Sequence, residues 1–209
     1  MLVQTQVGPL ATTSSLSAGS QNAARAGNMG ETIVSQLHGS HYEAAYRRAL
    51  FTAANQSPTT TTVGLATTYT GLCISNPVGS SVNLSILRAG VAFIVAFPAG
   101  SVIGLIKGFN SGTNVTHTTP VTPTAQFAGT TGVGLADVSC TLPTAPVVNT
   151  ILGSGLTGAI TTTPLTGPTF YEVNGSILLP PGGYMAIYTN TVSGTSGFMG
   201  SILWEEIPQ

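Results

Sequence analysis

The chain has 209 residues, only 5% of them are charged, and the formal net charge is −1. Ordinary soluble proteins carry about 25% charged residues. A monomer with so few charges is hard to keep dispersed, so we expect copies of the chain or a larger assembly to cover much of its surface. The alternative is a surface made polar by uncharged Thr, Ser and Asn. Five Lys and Arg residues cannot form a phosphate-binding track, so no nucleic-acid partner is predicted.

No membrane partner is predicted either. The most apolar run, residues 89–99, is too short to span a bilayer and contains Pro98. No basic amphipathic segment indicates binding to a membrane surface. The beginning of the chain lacks the basic and continuous apolar regions of a secretory signal.

Residues 1–30 are rich in Ala, Ser, Thr, Gly and Gln and contain one charged residue, Arg25. Such a segment buries little apolar surface, so we predict an extended N-terminal arm that a partner orders; plain disorder is the alternative. Residues 42–54 are good helix formers, and Glu43 and Arg47 have the i, i+4 spacing of a stabilising pair. They predict one short helix, with Arg48 available to a carboxylate on a partner, or else an irregular segment across a sheet.

From residue 59 onward the chain is typical of β structure, because short apolar runs alternate and are separated by Gly, Pro, Asn and Thr. No helical segment follows Asn55, which argues against a parallel sheet. We predict a mainly β fold, an antiparallel β-sandwich, with residues 1–58 as arm, short helix and attachment device and residues 59–209 as the sandwich domain. The predicted strands are residues 63–74, 81–88, 90–97, 102–107, 126–142, 146–152, 170–173, 177–179, 183–189 and 198–207.

Strand 183–189 alternates with apolar residues on both faces: Tyr184, Ala186 and Tyr188 on one, Met185 and Ile187 on the other. We therefore expect one face to pack on a second sheet and the other on a neighbouring subunit, which favours a homotrimer. In the last predicted strand, Ile202 and Trp204 share a face, and Trp204 is expected in the core.

The candidate metal ligands are His38 and His41, spaced i, i+3, with Glu43 nearby. The Gly-Ser pair between the histidines argues against a rigid helix, and a third ligand is missing unless Glu43 supplies it, so no metal site is predicted. His117 stands alone in a Thr-rich loop and is expected to be solvated.

No catalytic or cofactor-binding residues are predicted, and we expect the protein not to be an enzyme. Asp137 is the only Asp, and no serine lies in a nucleophile turn. Glu205 and Glu206 should point to opposite faces of a strand, as a solvated or partner-facing end. Cys73 and Cys140 could pair, but two reduced, buried thiols are favoured because no secretory signal is present.

Three stretches carry a resemblance: HGSHYEAAYRRALFTAANQ (residues 38–56), TGLCISNPVGSSVNLSILRAGVAF (70–93) and LLPPGGYMAIYTNTVSGTSGFMGSILWEEIP (178–208). They resemble structural proteins of tailed bacteriophages and the closing strands of trimeric jelly-roll domains in virion proteins. The resemblance is one of strand and turn composition, so it carries over no functional residues.

This resemblance implies a jelly-roll-like sandwich that forms a homotrimer on the outside of the particle. The implied function is that of a capsid decoration or cement protein, made in the cytoplasm of the bacterial host and bound to the major capsid protein. The alternative is a tail or fibre receptor-binding protein that holds host glycans with its Thr, Asn and Gly loops.

Overall fold

The computed structural model describes residues 39–155 and 169–209. The predicted arm and His38 lie outside the described residues. Every strand in these ranges lies in the compact unit that begins at Glu43. The elements are a short helix α1 (Tyr42–Tyr46) and the strands β1 (Leu50–Ala54), β2 (Thr68–Ser75), β3 (Val82–Phe93), β4 (Ser101–Phe109), β5 (Thr116–His117), β6 (Pro120–Val121), β7 (Thr124–Ala125), β8 (Leu135–Thr141), β9 (Val147–Gly155), β10 (Thr169–Leu179), β11 (Gly183–Thr189) and β12 (Phe198–Pro208).

The strands form two antiparallel sheets. The smaller sheet has the order β10-β3-β12-β1-β7, and the larger has the order β5-β8-β2-β11-β4-β9, with β6 also paired to β8. Among the eight main strands β1 to β4 and β9 to β12, successive strands lie in opposite sheets, except that β4 and β9 are neighbours in one. This is the double Greek key of a jelly roll. The predicted antiparallel, jelly-roll-like sandwich is therefore confirmed.

The main core lies between the two sheets. Trp204 on β12 has no exposed surface and stacks on Phe51 of β1 at a ring-centroid distance of 6.3 Å. From the opposite sheet, Met185 and Ile187 of β11 pack into the same core. Strand β12 alternates between buried and half-buried residues up to Glu206, because only one of its faces packs into this core. The prediction that Trp204 belongs to the core is confirmed.

A second, smaller core covers the outer face of the larger sheet. Tyr184 and Ala186, which alternate with the main-core residues of β11, have no exposed surface there. Val115 and Leu142, from the segment between β4 and β9, pack in the same cluster. The two-faced alternation is confirmed, but the expected cover by a neighbouring subunit is wrong for this face, because the chain buries it with its own residues.

Two predicted strand breaks are absent. The predicted strands 81–88 and 90–97 are one strand, β3, that continues through Gly90 and ends at Phe93. The predicted strands 170–173 and 177–179 are joined in β10 through a bulge between Glu172 and Ile177. Asn174 and Gly175 form this bulge with φ angles of 51° and 76°, in the left-handed region that Asn and Gly tolerate best.

The predicted helix is shorter than expected. Helix α1 ends at Tyr46, and Leu50–Ala54 is the inner strand β1, which pairs with β12 and β7. Burial of Phe51 and Ala53 between the sheets outweighs the helix propensity of Leu and Ala. The sandwich therefore begins before the predicted boundary at residue 59, and the bridge between Thr59 and Phe198 lies inside it.

Candidate functional site

A buried polar cluster is centred on Asp137, the only Asp of the chain. His117 Nδ1 lies 3.1 Å from Asp137 Oδ2, because β5 pairs with β8. The other carboxylate oxygen accepts the backbone N–H groups of Thr119 at 3.1 Å and Ser139 at 2.7 Å. His117 is thus tied to a fully buried carboxylate, so the expectation that it is solvated is wrong.

Ser75 lies on the other side of His117, with its Oγ 3.5 Å from His117 Nε2. The three side chains thus have the Ser-His-Asp sequence of contacts found in a nucleophilic triad. A nucleophile must reach a substrate beside oxyanion-stabilising donors. Ser75 is only 3% exposed and lies on a strand flanked by β8 and β11. The next backbone N–H, that of Asn76, is bonded to the carbonyl of Gly183. The contacts among Ser75, His117 and Asp137 support a structural role, in which they hold β5 against the sheet.

Glu206 plays a similar structural part beside the start of β8. Its carboxylate accepts the backbone N–H groups of Val133 and Gly134 at 2.8 Å, and the Trp204 Nε1–H points to it at 3.4 Å. Glu205 and Glu206 do face opposite sides of β12, as predicted. The prediction of a solvated acidic end is wrong for Glu206, which is 8% exposed and fastens the loop before β8.

Cys73 and Cys140 are both free and buried in the smaller core. A hydrogen bond with Cys140, together with burial, raises the pKa of the Cys73 thiol well above its ordinary value. A thiol that stays protonated is a poor nucleophile and a poor metal ligand. The pair therefore packs as small apolar side chains.

The candidate metal ligands and the predicted Glu43–Arg47 pair are only partly covered by the described residues. His38 and the side chain of Glu43 lie outside the description, so the proposed pairing of Glu43 with Arg47 does too. Within the described ranges, no three His, Cys, Asp or Glu side chains gather as metal ligands. The guanidinium of Arg48, which was expected to serve a partner, lies 5.1 Å from the centre of the Phe127 ring of its own chain.

Among the described residues, two strands at the ends of the sheets expose large apolar side chains. Strand β9 is the last strand of the larger sheet, and β10 is the last strand of the smaller one. Val147 and Ile151 on β9 are 58% and 55% exposed, and Phe170 and Leu178 on β10 are 59% and 57% exposed. We call these four residues the edge surface.

A second surface feature is an open cavity of about 530 Å³ between the chain before β2 and strand β8. Its lining consists of six threonines, two serines and three valines, contributed chiefly by residues 57–63 and by Val138 and Ser139. We call it the threonine groove.

Comparison of this chain with protein-family models, curated proteins and solved structures found no match. No helix in residues 39–155 or 169–209 is long and apolar enough to cross a membrane.

Proposed function

We propose that the chain is a non-enzymatic structural protein of a tailed-bacteriophage virion, a decoration or cement protein bound as a homotrimer to the outside of the capsid. The strand order supports this, because jelly rolls recur in viral capsid proteins, although the same fold serves other functions. The low charge supports it too, because a surface shared with other copies does not need charges for solubility.

The edge surface is the observation that carries the proposal. Long edge strands with exposed apolar residues invite pairing with other chains, and soluble monomers usually protect them with charges or prolines. Strand β9 has neither, and its exposed residues include Val147, Val148 and Ile151. A closed ring of three copies covers such edges on every subunit. Because the chain's own residues cover the outer face of β11, the contact between subunits of the proposed trimer is assigned to these edges.

Attachment to the major capsid protein is proposed for the N-terminal part of the chain. That part differs in composition from the sandwich, with a nearly uncharged stretch followed by Glu31, Glu43, Arg47 and Arg48. A segment that orders on a partner gains a large contact area from few residues.

The test is the number of copies per particle, measured from quantified protein bands of purified virions. A decoration protein is expected in hundreds of copies, spread over the head in electron micrographs of antibody-labelled particles. Absence from the particle would contradict the proposal.

The second candidate is a tail or fibre protein that binds host glycans. The uncharged threonine groove favours it, because glycans are recognised through hydroxyl groups. The copy count separates the two candidates, since a tail protein is expected in a few to a few dozen copies, with the antibody label confined to the tail.

A further inference from the structure

We propose that the threonine groove is a binding site for an uncharged saccharide. This inference concerns the groove alone and holds wherever the protein sits on a particle. A cavity of about 530 Å³ has the size of small-ligand sites in proteins.

The groove is held in shape by hydrogen bonds from three directions. The Thr62 N–H donates to the Thr70 carbonyl at 3.0 Å, which ties the segment before β2 to the sheet. The Thr61 N–H donates to Ser193 Oγ at 3.0 Å, and its own hydroxyl lies 2.7 Å from that of Thr189. A site already ordered in the free protein loses little entropy when it binds a ligand.

The lining offers hydroxyl groups that are ready for a ligand. The part of the chain that the structure describes supplies no hydrogen-bond partner to the hydroxyls of Ser57, Thr119 or Ser139. Each hydroxyl both donates and accepts, as the hydroxyls of a sugar do. Val63 and Val138 add methyl groups that can contact the C–H face of a sugar ring.

Other ligand classes fit the lining less well. A phosphate, a nucleotide or an acidic sugar calls for Arg or Lys, and the described lining contains neither. A purely apolar ligand would leave the lining hydroxyls without water or a partner, which costs free energy. The combination of hydroxyls, methyl groups and no charge selects a neutral, polyhydroxylated ligand.

A second cavity of about 480 Å³ adjoins the groove and shares Thr60 and Val192 with it. Its other lining residues include Val95, Phe97 and Pro98. Two adjoining cavities suit an extended ligand, and we expect a trisaccharide to bind more tightly than its monosaccharide.

The experiment is a titration of the full-length protein with maltotriose, cellotriose and N,N′,N″-triacetylchitotriose, followed by amide chemical shifts in NMR spectra. We expect saturable shifts for at least one probe at millimolar concentration, confined to the residues around the groove. Glucose, or N-acetylglucosamine for the chitin fragment, should bind more weakly than the matching trisaccharide.

Two variants and one control make the assignment specific. Thr119→Val and Ser139→Ala remove hydroxyls with little change in shape, and each should weaken binding about fivefold. Thr113→Val removes an exposed hydroxyl outside the groove and should leave binding unchanged. Unchanged melting temperatures would verify that the variants fold. The proposal is overturned if no probe gives saturable shifts, or if both groove variants bind like the control.

Discussion

At the scale of single residues, Trp204 gives the sharpest prediction. Its indole is fully buried between the sheets and stacks on Phe51. Trp204→Ala should lower the free energy of unfolding by about 3–5 kcal/mol, because it leaves a large cavity. Urea denaturation measures the change. Ile207→Ala, at an exposed position of the same strand, is the control and should have a small effect. Equal effects of the two substitutions would place Trp204 outside the core.

A buried phenol and a buried thiol should make the stability of the fold fall at alkaline pH. Burial raises the pKa of the Tyr69 hydroxyl, and a hydrogen bond with Cys140 together with burial raises that of the Cys73 thiol. Both groups stay protonated in the folded state at a pH where they ionise in the unfolded chain. Their contribution is complete below the unfolded thiol's pKa of about 8.5 and is lost as the pH rises through the folded pKa values.

The melting temperature should therefore be steady from neutral pH to about pH 8.5 and fall above it. Cys73→Ala combined with Cys140→Ala removes both thiols of the chain, so the decline of this double variant should begin nearer the pKa of an unfolded tyrosine, about 10. A melting temperature of the wild-type protein that stays constant to about pH 10 would contradict this assignment.

Residues differ in how far their surroundings could be predicted from sequence. Trp204 was predictable because its place in an alternating strand is a local signal. The contact of His117 with Asp137 was not, because β5 has two residues and its partner lies 20 positions away. The anchoring of Glu206 by Val133 and Gly134 is likewise set by tertiary contacts, which local alternation does not reveal.

At the scale of elements, β1 decides where the folded domain begins. A chain that starts at Gly39 keeps β1, whereas a chain that starts at Thr59 loses the strand between β12 and β7. We expect the first to give a β-type circular dichroism spectrum with cooperative melting and the second to lose cooperative melting. Cooperative folding of the shorter chain would show that β1 is dispensable.

The truncation that starts at Gly39 also tests the attachment proposal. The chain that starts at Gly39 should fold but fail to bind particles stripped of the native protein. If it decorates them as well as the full-length protein does, residues 1–38 are not the attachment device.

Strands were easier to predict than their ends. Strands β4, β9 and β11 lie within two or three residues of their predicted bounds, because turn residues flank them. The break expected at Gly90 is absent because β10 and β12 both pair with β3 there. Leu50–Ala54 was predicted as helix because its residues favour helices locally, while only the sandwich supplies the reason for a strand.

At the scale of the whole molecule, the proposed homotrimer depends on the edge surface. The two-sheet class follows from alternation and turn spacing in the sequence, and the resemblance to phage proteins suggested the jelly roll. The edge surface could not be predicted, because β9 and β10 become edges only through the order of strands in each sheet.

Light scattering of the purified full-length protein at micromolar concentration tests the self-assembly at the centre of the account. We predict a mass three times the 21.1 kDa of one chain. Exchanging Val147 and Ile151 together for Lys should reduce this mass to that of a monomer without loss of the β-type spectrum, because charges on an edge strand oppose pairing. The matched control, Val63→Lys with Leu65→Lys, places the same charges at exposed positions outside the edge strands and should leave the trimer intact. A monodisperse monomer of the wild-type protein would contradict the account.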